Sequence, residues 1–217
     1  MALLAQTSQL VTYNLLDEGH LDECISIMTD IFSRSEPLTR LLGINETEFS
    51  YFAEIFAAKA IEEELGVFAR EHGSKRILGF CISEDLLSCP PPEADRISPK
   101  FLPIMALVNQ LDSWFLSRYQ ARKGDYLHIF MTGISKYCRH REVSLGVVAE
   151  SLRIAEVRGY RGALGESTNV LAARAAARNG FSELYAIPYS NFSFEGKAVF
   201  AEMGSHSSCR LMAKWFT

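Results

Sequence analysis

The stretch that most constrains the fold is residues 126–181. YLHIFMTGIS (126–135) is rich in β-branched and aromatic residues and reads as a strand. A basic turn follows at once, with Lys136, Arg139, His140 and Arg141. Val143, Val147, Val148, Leu152 and Ala155 then recur at helical spacing up to a Gly159 cap. RGALGES (161–167) reads as a short strand, and the alanine-rich NVLAARAAARN (169–179) as a helix closed by Gly180. With strands FSELYAIPY (181–189) and SCRLMAKWF (208–216), the second half alternates strand, helix, strand, helix and strand. A chain of that order needs a sheet with helices packed on it.

The front half reads differently. LVTYNLL (10–16) is strand-like, and a helix spans His20 to Ser33, with Leu21, Cys24, Ile25, Met28 and Phe32 among its apolar positions. Glu36-Pro37 breaks that helix, because the residue before proline avoids helical geometry. A second helix covers Glu46 to Leu65, followed by VFAREH (67–72) and ILGFCISEDL (77–86), a hairpin joined through Gly73-Ser74. CPPPEADRISP (89–99) reads as loop without regular structure, and 101–119 as a further helix. The expectation is an α/β (α+β) fold: one domain over residues 1–217, with a mixed, mostly antiparallel central sheet flanked by helices.

Composition narrows the function classes. A net charge of -4 argues against general nucleic-acid binding but leaves room for a local basic pocket. The five cysteines include no C-x-x-C pair, so their spacing implies neither a disulfide framework nor a zinc site. MALLAQTSQLVTYNL lacks a basic leader region, and no apolar run approaches the roughly 20 residues of a membrane span. A reducing cytoplasm, no membrane partner and no metal are the corresponding expectations.

Four cationic or near-cationic side chains before a helix suggest an anion site, since helix N-termini present N–H groups and positive dipole ends. Here the pattern resembles a known family. RHREVS (139–144) lies where the GNAT superfamily of acetyl-CoA-dependent N-acyltransferases has R/Q-x-x-G-x-G/A, and NVLAARAAARNGF (169–181) resembles its N-x-x-A…G-F helix. IFSRSEPLTRLLGI (31–44) and PYSNFSFEGKAVFAEMGSHSSCRLMAKWF (188–216) resemble segments of insect-type arylalkylamine N-acetyltransferases. The resemblance covers almost the whole chain and is weakest in a loop-plus-helix insertion at 87–125.

The resemblance implies an acetyl-CoA cosubstrate and a small primary amine, possibly an arylalkylamine, handled by a monomer or homodimer. The main chain and side chains of Arg139, His140, Arg141, Val143 and Ser144 would hold the diphosphate. Gly133 and Ile134 would border the acyl group, with an Ile134 N–H or its neighbour as oxyanion donor, and Asn169 would hold the pantetheine side. Asn169 also reads as a plain N-cap. Glu36 matches the E-P-L glutamate that deprotonates the amine. His128 lies where vertebrate arylalkylamine N-acetyltransferases carry one of two histidines; the second position is Phe130. A strand histidine otherwise fills a core.

Three positions depart from the family pattern. Glu142 stands where the loop normally has glycine, and a carboxylate about 4 Å from a phosphate costs roughly 1–4 kcal/mol. Ala172 and Ala176 occupy places where relatives carry Ser or Tyr, leaving Ser167, Thr168 or Tyr185 as substitute acids. Phe32, Phe49, Phe52, Trp114 and Tyr189 are candidate pocket aromatics or ordinary core. These departures motivate an alternative: a GNAT-fold protein without catalysis that binds an acyl-CoA or small ligand.

Overall fold

The structure is a computed structural model that describes residues 10–140 and 142–217. Arg141 and the leader reading of residues 1–9 lie outside the described residues. Strands β1 (Val11–Leu15), β2 (Gly66–Glu71), β3 (Ile77–Asp85) and β4 (Tyr126–Ile134) form an antiparallel run. β5 (Gly162–Ser167) joins β4 in parallel, and β6 (Ser182–Pro188) and β7 (Ser208–Trp215) complete the sheet. The order is β1-β2-β3-β4-β5-β7-β6, so β7 inserts between β5 and β6.

The helices are α1 (Leu21–Ser35), α2 (Pro37–Leu41), α3 (Glu46–Glu62), α4 (Leu102–Leu116), α5 (Val143–Val157) and α6 (Val170–Arg178). Strand alternation divides the core between the two faces of the sheet. Val67, Ala69, Leu78 and Cys81 pack with Val143, Val147 and Leu152 of α5. Phe68, Phe80 and Ile82 turn the other way, onto Cys24 and Met28 of α1 and Phe49, Phe52 and Phe56 of α3. α4 covers the C-terminal end of that face, with Leu107, Leu111 and Phe115 against Leu164, Leu211 and Ala213.

Most expected elements are present, with three differences. Pro37 does end α1, but it also starts α2, because proline suits the first helical position and Glu36 caps it. The triple-proline loop contains two short 3-10 turns, Pro92–Arg96 and Pro99–Phe101, for the same reason. Asn169 is the N-cap of α6 rather than its first residue, its Oδ1 accepting from the Ala172 N–H at 2.9 Å. Gly159 and Gly180 adopt φ of +84° and +87°, as left-handed helix terminators do. The five cysteines are all free thiols, and no described helix is long and apolar enough to cross a membrane.

Candidate active site

The sheet forks at its parallel join. β4 and β5 keep register over only three pairs, Tyr126–Gly162, Leu127–Ala163 and His128–Leu164. Beyond them β4 runs to Ile134 and β5 to Ser167 with no pairing between the two. Two features shape the fork. Phe130 bulges out of register with β3, between Ile129–Ser83 and Met131–Ile82, and bulges bend the strand that carries them. At Gly165 any Cβ would come within 3.0 Å of the Ile129 carbonyl, so glycine allows the strands to touch where they part.

The fork exposes main-chain donors. The Ser135 N–H donates to the Leu78 carbonyl at 2.8 Å. Antiparallel alternation then engages Gly133 with Phe80 and turns the Ile134 and Thr132 N–H groups away from β3, into the gap. Gly133 has a packing reason of its own: a Cβ there would meet the Phe80 ring at 2.8 Å.

Glu36 stands beside the open end of the fork. As the cap of α2 it accepts the Thr39 N–H at 2.7 Å on Oε2. Its Oε1 accepts from the hydroxyl of Thr168, the residue after β5, at 2.8 Å. The Tyr189 hydroxyl donates to the Thr168 carbonyl at 2.6 Å, fixing that corner from the β6 side. Thr39 is itself pinned, donating to the Glu36 and Phe32 carbonyls. Two neutral donors thus orient a half-buried carboxylate without neutralising it.

His128 sits deeper on the same face of the sheet, 4% exposed. Its Nδ1 lies 3.1 Å from Glu84 Oε1 and its Nε2 lies 2.8 Å from Glu166 Oε2. Glu84 is paired in turn with Lys59, which also reaches Ser88. Asp112 of α4 closes the cluster: its ligating atom and those of His128 and Glu166 lie within 4.8 Å of one another. Burial, and then the Glu166 charge, push the Asp112 carboxyl up to about 8. Burial lowers the His128 pKa, but Glu166, Glu84 and Asp112 outweigh it and hold the imidazole well above its ordinary range.

The anion loop is partly self-occupied. Arg139 is exposed, whereas His140 Nε2 lies 3.3 Å from Glu71 Oε1. The Val143 N–H donates to the His140 carbonyl at 3.2 Å, closing a turn on itself. Glu142 is the N-cap of α5 in helical geometry, with no side-chain cap bond, and Ser144 is in its first turn. A close main-chain approach lies two residues later, at Gly146. A Cβ at Gly146 would fall 2.1 Å from the Tyr13 hydroxyl, so the Tyr13 ring rests against the first turn of α5.

The structure therefore joins Glu36 to Thr168 at the end of β5, turns the Ile134 amide away from β3, and sets His128 in a separate buried cluster. Among the candidate aromatics, Phe49 and Phe52 are core, packed on Phe101. Phe32 stacks on Phe49 at 5.0 Å, and Trp114 on Tyr185 at 4.6 Å. Glu84, Glu166, Asp112 and Lys59 escaped the sequence reading. Their one signal is a charge within an otherwise apolar strand or helix face.

A long strand bulged at its middle, a fork against one parallel neighbour and a helix starting beside the gap define the architecture. The fold is GNAT-like. No family model matches the chain, and no curated protein matches it in sequence. Among solved structures, the C-terminal condensation domain of Ebony, in complex with β-alanyl-dopamine, aligns at TM-score 0.85 and 18% identity. That match covers 95% of this chain and 99% of that one. A mosquito arylalkylamine N-acetyltransferase-like protein, 5b, aligns at 0.79 and 15%, covering 95% and 100%. A Drosophila melanogaster polyamine N-acetyltransferase that forms N-acetylagmatine aligns at 0.77 and 15%, with the same coverage. In the GNAT frame β4 is the strand that borders the fork, and the 87–125 segment supplies α4.

Proposed function

We propose that this protein is an amine N-acyltransferase that moves an acyl group from an acetyl-CoA-type thioester to a small primary amine, with arylalkylamines among the candidates. The observation that carries the reading is the Glu36 carboxylate, held by the Thr39 N–H and the Thr168 hydroxyl beside the fork. Glu36 takes the proton from the substrate ammonium, directly or through water, freeing the nitrogen lone pair. The amine attacks the thioester carbonyl from the Glu36 side. The Ile134 and Thr132 N–H groups, turned into the gap, are the donors available to the oxyanion. When the C–S bond breaks the thiolate needs a proton, and Thr168, already bonded to Glu36, is the hydroxyl nearest the proton just removed.

His128 is the weaker base, because both of its ring nitrogens are already engaged by carboxylates. Exposed Arg139, together with His140, Arg141, Val143, Ser144 and the Asn169 cap, makes up the proposed coenzyme border. The structural neighbours support the class of reaction by their fold, several being amine N-acetyltransferases.

The test is thiol release from acetyl-CoA with tyramine, dopamine, serotonin, agmatine and spermidine as acceptors. Turnover of at least one amine is expected. Saturable acetyl-CoA binding with no turnover of any amine would refute catalysis and leave the second reading, a binding module. That alternative is favoured by the position of Glu142 at the cap of α5, and calorimetry of Glu142→Gly addresses it: a marked gain in acetyl-CoA affinity identifies Glu142 as a block to the coenzyme.

A further inference from the structure

We propose that Asp112, His128 and Glu166 form a binding site for one divalent transition-metal ion of the zinc type, separate from the Glu36 corner. Three elements converge to build it: α4 brings Asp112, β4 brings His128 and β5 brings Glu166. The Glu166 side chain is only 5% exposed, yet its Oε1 has no hydrogen-bond partner. Asp112 Oδ1 is likewise buried without one. A buried carboxylate oxygen left without a donor costs about 1–3 kcal/mol, and the Asp112 and Glu166 carboxyls lie within hydrogen-bonding reach of each other, so the cluster calls for either a cation or one shared proton between them.

The donor set suits a metal of this class. Zinc takes imidazole nitrogen and carboxylate oxygen at about 2.0–2.2 Å, which separates tetrahedral ligand atoms by roughly 3.3 Å. Donor atoms already within 4.8 Å of one another reach that spacing through small side-chain rotations. The surrounding bonds fit as well. Glu84 accepts from Nδ1 at 3.1 Å and so leaves Nε2 to face the other two ligands; a carboxylate behind a ligating histidine is the usual means of fixing its tautomer. Lys59 neutralises part of the Glu84 charge. Counting Asp112, Glu166, Glu84, Glu63 and Lys59 with a neutral His128, the local charge is -3, and a divalent ion brings it to -1.

A competing arrangement reaches the same balance with two protons, one on His128 Nε2 and one shared by Asp112 and Glu166. The ion replaces both. Three protein ligands leave a coordination position open, which a water can fill.

The experiment uses the full chain, treated with chelator and then titrated with Zn2+ by calorimetry, with elemental analysis of the dialysed product. The expected result is one ion per chain. Co2+ at the same site gives visible d–d absorption of nitrogen and oxygen coordination, a readout that needs no variant. Asp112→Asn and Glu166→Gln each weaken Zn2+ binding by more than tenfold, and Glu84→Gln weakens it about 10–100-fold through the histidine. Glu150→Gln, at an exposed pair with Arg153, leaves binding unchanged. Circular dichroism establishes that each variant is folded. Failure of the folded native chain to take up either ion in stoichiometric amount overturns the proposal in favour of the shared proton. Undiminished binding by both folded ligand variants overturns it as well.

Discussion

Two carboxylates stand almost side by side at the end of β5, yet their surroundings differ. Glu36 meets Thr168 through one hydroxyl and Thr39 through one N–H, both neutral donors, and remains half-buried. Glu166, two residues before Thr168, is 5% exposed, paired with His128 and close to a second acid. Neutral donors orient a carboxylate without consuming its charge, so it can still accept a proton from an amine. A charged partner in a low-dielectric setting ties the carboxylate into a structural network, because releasing it would strand a buried ion. Chemistry and stability should therefore separate between the two.

The largest expected effect is on turnover. Glu36→Gln keeps the size and one acceptor but removes the base, and should lower kcat by about 10²–10⁴-fold with little change in the urea midpoint. His128→Ala should show the opposite pattern first in stability. Removing the shared partner of Glu84 and Glu166 is expected to cost about 3–5 kcal/mol, read by equilibrium denaturation. A stable His128→Ala protein with its denaturation midpoint unmoved would erase the distinction between the two acids.

Thr168→Val sharpens the comparison at smaller scale. It removes one hydrogen bond to Glu36 while conserving shape, with an expected loss of about 3–10-fold in kcat. The smallest effect belongs to a third carboxylate, Glu48, in the first turn of α3. The Asn45 N–H, then Lys100 and Ser98, hold it down to about 2. A depressed carboxyl contributes stability that is present above its unfolded value of about 4.5 and lost as pH falls toward 2. Glu48→Gln should flatten that part of the acid-unfolding curve, a modest change because its charged partner Lys100 is exposed to solvent.

The element pattern was legible in the chain because it is local. Val143, Val147 and Leu152 declare a helix by spacing alone, and Gly180 declares its end; both are present. Glu36 could be singled out because its segment resembles a known one, and the structure does set it beside the fork. The interior charges were less legible. Lys59, Glu84, Asp112 and Glu166 each look like a lone charge in an apolar segment, and only the packing of α3, α4, β3 and β5 makes them one cluster. The anion loop was read from its arginines, whereas Tyr13, over a hundred positions earlier, occupies the close approach at Gly146.

By itself the sequence determined where strands and helices lie, which faces are apolar, and that a basic turn precedes a helix. Those properties follow from side-chain periodicity and terminal residues, which act within a few positions. Tertiary structure alone decided that β7 enters between β5 and β6, that β4 and β5 part after three pairs, and which acids meet His128. Each of these depends on contacts between residues tens of positions apart, where burial and ion pairing, rather than local propensity, select the partner.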